Sequence, residues 1–304
     1  MSFVKFLNGW VFIDKPEGIT SFDVIRKVRS FTKIKKIGHS GTLDPFASGI
    51  LALAFGEATK SIQFFSSAKE YEFSISFGET RDTDDITGKI IHSNNLYPSI
   101  DEINNCIPSF VGIINQVPPI YSAVKVDGKR AYKLARDGKT FELKSKKIEI
   151  YRLQCLGEST ENTFVFRVEC SSGTYIRSLA RDIAKKMGYF GYVSCLRRTK
   201  IGKINEKNLI SLDKFRELVH IGDHFDYVHT IQDVLDDIPA VLLNYENACK
   251  FQNGVSLDFD IETLGSKNVL LVSKSGPLGV GKIYNNKINP IRIFNLMGKR
   301  DVDK

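Results

Sequence analysis

The sequence predicts an α+β protein, with a large, mostly antiparallel mixed sheet flanked by helices and a small β-rich domain after it. Three observations carry that expectation. Tyr71, Phe73, Ile75 and Phe77 alternate with Glu72, Ser74 and Ser76, and Phe164, Phe166, Val168 and Cys170 alternate with Val165, Arg167 and Glu169. Period two is the mark of a half-buried strand. Ile176, Leu179, Ile183 and Met187 recur at helical spacing and share one face. After about Asp236 short apolar runs between Asn and Gly turns take over, such as Val269 to Ser273 and Gly279 to Tyr284. The expected division is therefore 1–236 and 237–304.

Trp10 to Asp14 reads as a strand, closed by the turn Lys15-Pro16-Glu17-Gly18. Thr20 or Ser21 is suited to cap the next helix, with Phe22, Ile25 and Val28 expected on its buried face. Arg26, Lys27 and Arg29 fall largely on the other side, either as a solvated face or as contacts for phosphates. Residues 38–49, GHSGTLDPFASG, carry three glycines and a proline and are expected to form a structured loop throughout. Ile50 to Phe55 suits a buried strand. GETRDTDDITGK (78–89) reads as a solvated acidic turn, and 96–110 as a helix capped by Ser99 or Asp101. Asp127-Gly128 is a hairpin signal. Tyr132 to Arg136 reads as a short helix, and Gly188 and Gly191 are placed to end the helix that begins at Arg177.

With 42% hydrophobic and 26% charged residues the composition is that of a folded globular chain. The formal net charge of +8 raises the expectation of a polyanionic partner. No apolar run approaches membrane-spanning length, and the N-terminus lacks the apolar core of a signal peptide, so a cytoplasmic protein is expected. Cys106, Cys155, Cys170, Cys195 and Cys249 lack the spacing of a zinc or redox pair, so no metal site is expected.

Asp44 precedes Pro45 in the Gly-rich segment, which holds it in extended geometry. Such a carboxylate could be a nucleophile, a general base or a metal ligand. A carboxylate that merely bonds its own turn is the commoner case. No Gly-Lys-Ser/Thr follows these glycines, which excludes a P-loop. In 81–85 the calcium-loop pattern fails, with Gly88 one place late and the closing Glu missing. Arg177 offers a fork of donors suited to a carboxylate. Basic and aromatic residues interleave at Lys69-Tyr71, Tyr121-Lys125, Arg130-Tyr132-Lys133 and Tyr175-Arg177, which suits bases flanked by phosphates.

Six blocks together resemble the TruB family of tRNA pseudouridine-55 synthases: DKPEGITSFDVIRKVR (14–29), GHSGTLDPFASGIL (38–51), GETRDTDDITG (78–88), QVPPIYSAVKVDGKRAYKLAR (116–136), CSSGTYIRSLARDIAKKMG (170–188) and LRRTKIG (196–202). The resemblance implies a pseudouridine-synthase fold for 1–236 and a PUA-like RNA-binding domain for 237–304. It implies that Asp44 is the catalytic aspartate, that Tyr71 packs on the target base and that Arg177 pairs with Asp44 and keeps it ionised. Tyr175 corresponds to a nearby active-site tyrosine, His39 to a histidine that helps displace the flipped nucleotide, Lys15 to a lysine of the first block and Leu196 to an apolar pocket residue. Residues 116–147 correspond to an insertion that clamps the tRNA T stem-loop. The implied reaction, isomerisation of uridine 55, loses no atoms and uses no cofactor or metal. A monomer acting on tRNA without guide RNA is expected. The alternatives are a tRNA-binding or RNA-folding module with secondary catalysis and a guide-dependent synthase, against which the insertion argues. Ser40 and Ser48 stand where Thr is commoner.

Overall fold

The computed structural model describes residues 7–65, 68–222, 225–258, 268–284 and 286–296. The chain opens with β1 (Trp10–Lys15) and α1 (Ser21–Thr32), then β2 (Ile37–Ser40), β3 (Ser48–Phe55) and β4 (Lys69–Phe77). β5 (Glu79–Arg81) and β6 (Ile90–Ser93) form a hairpin, followed by α2 (Ile100–Cys106), β7 (Gly112–Gln116), the β8–β9 hairpin (Lys125–Val126, Lys129–Arg130) and α3 (Ala131–Arg136). Next come β10 (Lys146–Thr160), β11 (Thr163–Cys170), α4 (Ile176–Met187), β12 (Gly191–Ile201), β13 (Ile204–Asn205), β14 (Ile210–Ser211) and α5 (Leu212–Ile221). The last part holds α6 (Ile231–Val234), β15 (Ala240–Leu242), α7 (Tyr245–Gln252), β16 (Leu257–Asp258), β17 (Asn268–Ser273), β18 (Gly276–Tyr284) and β19 (Lys287–Ile293).

The large sheet runs β14-β1-β3-β12-β4-β11-β10-β7, with β2 added to β3 and β13 to β12. Only β1–β14 and β3–β12 pair in parallel; every other pair in this sheet is antiparallel. The expected mixed, mostly antiparallel sheet is therefore present. A second sheet of five strands, β15-β17-β18-β19-β16, forms the β-rich C-terminal part.

Alternation decides which layer each residue joins, because successive side chains leave opposite faces of a strand. Val11, Ile13, Leu51 and Leu53 pack under α1 and α5 with Val24, Val28, Phe215 and Leu218. Trp10, Phe12, Ile50 and Ala52 face the other way and meet Leu270, Val272, Val280 and Phe294. The small sheet thus shares a core with the large one. Lys60 Nζ also donates to the Ile293 carbonyl at 2.7 Å. Farther along, α2 and α4 cover Phe73, Ile75 and Phe166 with Ile103, Leu179 and Ile183.

Local expectations fared unevenly. Thr20 caps α1 in a reciprocal box with Asp23, and Gly188 ends α4 in the left-handed region. Phe22, expected in the core, is 62% exposed; Ser21 and Val24 take the buried face with Ile25 and Val28. The helix expected over 96–110 is shorter. It starts after Ser99 and passes into a 3-10 turn at Ile107–Phe110, where Pro108 cannot supply the helical N–H. Residues 38–40, expected in a loop, pair with β3 as part of a strand.

Candidate active site

The Asp44 loop is tied down from both sides of α1. Ser21 Oγ donates to the Leu43 carbonyl at 3.0 Å and accepts from the Leu43 N–H at 2.9 Å. The Gly18 N–H donates to the Pro45 carbonyl at 2.8 Å. Lys15 is fully buried and donates to three carbonyls, those of Pro16 (2.8 Å), Ile19 (2.8 Å) and Pro45 (3.2 Å). Burial pushes its ammonium down to about 8, against Glu17 and Asp44. These bonds explain why the first two sequence blocks act together. They leave the Lys15 ammonium no spare N–H beyond the loop, because all three are used within it.

Arg177 enters from the first turn of α4. Its Nε donates to Asp44 Oδ2 at 2.9 Å and its Nη2 to Oδ1 at 3.0 Å. The same guanidinium donates to the carbonyls of Thr83 (2.9 Å) and Tyr121 (3.1 Å) and lies 3.4 Å from Asp85 Oδ2. Arg177 and Asp85 are each 5% exposed, whereas the Asp44 side chain is 33% exposed. Burial raises the Asp44 carboxyl above its ordinary value; Arg177 opposes this and Asp85 adds to it. The expectation that Arg177 favours the ionised form holds in sign, but burial outweighs it.

Asp85 was not singled out by the sequence reading, which took 78–89 as a solvated turn. In the structure its carboxylate accepts from Thr83 Oγ1 at 2.8 Å and from the Thr87 N–H at 2.9 Å. The turn is folded inward against α4, with Asp84 on Arg181 at 3.0 Å. An acidic run looks solvated in sequence unless its arginine partners, about a hundred residues on, are known.

The open side of Asp44 faces a cleft of about 790 Å³. His39, Tyr71, Tyr175, Arg177 and Leu196 all line it, so the structure brings together every expected site residue except Lys15, which lies behind the loop. Tyr71 projects from β4 and is 7% exposed; burial pushes its phenol above the ordinary value. Leu196 projects from β12 and is 4% exposed. Burial and nearby Arg198 lower His39, and its Nδ1 is buried without a hydrogen-bond partner among the described residues. Tyr175 occupies the N-cap position of α4, and burial raises its phenol. Phe22, Lys69, Tyr121, Tyr132 and Arg198 also line the cleft.

Arg198 is a further residue the sequence reading passed over. It is fully buried, donates from Nε to the Ile50 carbonyl at 2.7 Å and from Nη2 to the Gly41 carbonyl at 2.9 Å, and its guanidinium carbon is 5.9 Å from the Tyr71 ring centre. Its backbone pairs with Gly49, which has φ +94° and whose added Cβ would stand 2.3 Å from the Arg198 carbonyl oxygen. Only glycine permits that approach. The double arginine in LRRTKIG was the available signal.

A large, mostly antiparallel mixed sheet flanked by helices, with a cleft that holds a clamped carboxylate among aromatic and basic side chains, places the molecule among proteins of the pseudouridine-synthase fold. A chain of the solved Cbf5-Nop10-Gar1 complex shares this fold, with a TM-score of 0.74 at 23% identity over 99% of this chain and 88% of that one. Residues 29–176 match the TruB family pseudouridylate synthase N-terminal domain, and residues 177–242 the tRNA pseudouridylate synthase B C-terminal domain. Over 297 residues the chain is 43% identical to a protein of Ehrlichia ruminantium named tRNA pseudouridine synthase B, covering 95% of this chain and 100% of that one. A protein of the same name from Rhodospirillum rubrum is 41% identical over 95% of this chain and 97% of its own length. The chain belongs to the TruB family of pseudouridylate synthases.

Proposed function

We propose that this chain isomerises uridine 55 in the T loop of tRNA to pseudouridine, with Asp44 as the catalytic carboxylate. One observation carries the reading. Both oxygens of Asp44 sit in the fork of Arg177, while a third of its side chain opens onto the cleft. The names of relatives 43% and 41% identical to this chain support tRNA as the substrate.

A uridine stacked in a loop hides its glycosidic bond, so the enzyme extrudes the nucleotide before reacting. The cleft has the volume of a nucleotide-sized pocket. Tyr71 offers its ring to the extruded uracil and Leu196 an apolar wall. His39 fills the space vacated in the loop, and Tyr175 borders the sugar. In the reaction the N1–C1′ bond breaks, the uracil turns in place and C5 bonds to C1′. The C5 proton leaves and N1 gains one, so no atom of the nucleotide is lost. Asp44 acts either by attack on C1′ or by removing the 2′ proton, and both routes need it ionised. Arg177 fixes the carboxylate plane and supports its charge.

Residues 1–236 make the catalytic domain in this reading. Residues 116–147, with the β8–β9 hairpin and α3, clamp the T stem-loop, and Tyr121, Arg130 and Tyr132 already reach the cleft from it. Residues 237–304 serve as a PUA-like RNA-binding domain. The chain works as a monomer without guide RNA.

The test is pseudouridine mapping of an unmodified tRNA transcript incubated with wild type and with Asp44→Asn. Conversion in the T loop by wild type alone supports the proposal. Binding of tRNA by folded wild type without any conversion would defeat it and leave a tRNA-binding module.

A further inference from the structure

Lys69 and Arg198 stand side by side on the cleft wall, and among the described residues neither has a carboxylate partner. Lys69, the first residue of β4, is 8% exposed. Its ammonium donates to a neutral hydroxyl, Ser172 Oγ, at 2.7 Å, which leaves two of its N–H groups unassigned. Arg198 uses Nε and Nη2 on the carbonyls of Ile50 and Gly41, and its Nη1 is 3.5 Å from the Tyr71 hydroxyl. A Cβ built on Gly41 would lie 3.1 Å from Arg198 Nη1 and 3.3 Å from Lys69 Cε. Both cationic side chains therefore close on Gly41, and all three residues line the cleft.

Arg130, which also reaches the cleft, is exposed to water, and three other arginines nearby are paired. Arg177 meets Asp44 and Asp85, Arg181 meets Asp84, and Arg197 meets Asp14 and Glu206. Burial and the repulsion of Arg198 push Lys69 down to about 8. Two like charges removed from water without a counter-ion are unfavourable, and an anion between them relieves both the desolvation and the repulsion.

Resting on the assignment of the cleft to an extruded nucleotide, the geometry points to an anion subsite in which Lys69, with the buried Arg198 guanidinium behind it, takes a backbone phosphate of the RNA flanking that nucleotide. The phosphate oxygens accept from the spare N–H groups of the Lys69 ammonium, a charge-assisted pairing, and Arg198 adds the field of its charge from within the wall. Gly41 lies in the chain segment that leads directly to Asp44, so the subsite would fix the sugar-phosphate strand beside the reacting carboxylate. It also accounts for a buried lysine that the chemistry at Asp44 does not use.

The test pairs Lys69→Met, which keeps the stem and removes the charge, with T stem-loop RNAs carrying a single neutral methylphosphonate at each phosphate flanking the target uridine. Binding affinity and single-turnover pseudouridine formation are both read. Wild type is expected to lose about ten-fold or more in affinity when one particular phosphate is neutralised. Lys69→Met should lose a similar factor on unmodified RNA, and the combination no more than either alone. Lys69→Arg, which retains the charge, should keep the sensitivity to that phosphate. Additive losses at every position, or wild-type affinity in Lys69→Met, overturn the subsite. If wild type binds RNA but forms no pseudouridine, the proposed reaction fails, while the non-additive binding still reports the phosphate contact.

Discussion

Arg177 grips both oxygens of Asp44 from a buried position, Nε to Oδ2 at 2.9 Å and Nη2 to Oδ1 at 3.0 Å, while the carboxylate keeps one side open to the cleft. The geometry is bidentate, and the remaining Nη1 is already committed to Thr83 and Asp85. A lysine has one compact charge and cannot reproduce a planar fork. Arg177→Lys is expected to lower kcat by on the order of 10²-fold, as a misplaced catalytic group does. It should also destabilise the fold by about 1–3 kcal/mol, because one ammonium cannot serve Asp44, Asp85 and the carbonyls of Thr83 and Tyr121 together, and a buried acceptor is left unsatisfied. Urea unfolding and single-turnover kinetics measure the two effects. An unchanged kcat would remove Arg177 from the catalytic arrangement.

The direction of the Asp44 shift gives a second prediction. Its folded value lies above the ordinary one, so between the two values the folded protein binds more protons than the unfolded chain. Stability contributed by this group therefore falls as pH rises through that window, and the penalty is complete above it. Asp44→Asn, which removes the ionisation, should be inactive yet more stable than wild type at neutral pH. The difference should shrink on acidification toward the unfolded carboxylate value. Wild-type kcat should rise with pH along an acid limb that lies above the ordinary aspartate value. Melting temperatures across pH and a pH–rate profile test this, and an Asn variant less stable than wild type at pH 7 contradicts it.

Lys15 separates positioning from RNA contact. Its ammonium joins the turn after β1 to the carbonyl of Pro45, the residue following Asp44. Lys15→Met should leave those carbonyls unsatisfied and loosen the loop that carries Asp44. The expected result is a kcat lowered by about ten-fold or more, with tRNA affinity close to wild type. A selective loss of affinity with kcat intact would instead make Lys15 part of the RNA-binding surface.

Much of this arrangement was legible in the sequence because it is written locally. Alternation at Tyr71–Phe77 and Phe164–Cys170 gave the central strands, and the crowded glycines and Pro45 marked the Asp44 loop. What depends on distant partners was not legible. Arg198 reads as one of several basic residues until β12 pairs with β3 and β4 and buries it against Ile50 and Tyr71. Phe22 fits an apolar helix face by type, yet the short Ser21 occupies the inward position because its hydroxyl is needed by Leu43. Asp85 sits in a run of acids that looks solvated, and only the path of α4 brings Arg177 to it.

Gln116 shows how a residue outside the reaction can hold the site together. It is 2% exposed at the end of β7. Its Nε2 donates to the Tyr175 carbonyl at 3.0 Å, and its Oε1 accepts from the Tyr175 N–H at 2.8 Å. Tyr175 occupies the N-cap position of α4 but provides no side-chain cap, so this paired amide fixes the backbone where the helix begins. Arg177 follows in the first turn, and its aim at Asp44 depends on that start. Gln116→Ala should cost about 1–3 kcal/mol of stability, since both backbone groups of Tyr175 lose a buried partner. It should also lower kcat, with a smaller loss in Gln116→Asn only if the shorter amide still reaches. A crystal structure of the Ala variant should show the first turn of α4 displaced and the Asp44 fork opened on at least one oxygen. If kcat and the fork are both unchanged, the start of α4 is set by its own packing through Ile176 and Leu179, and Gln116 contributes stability alone.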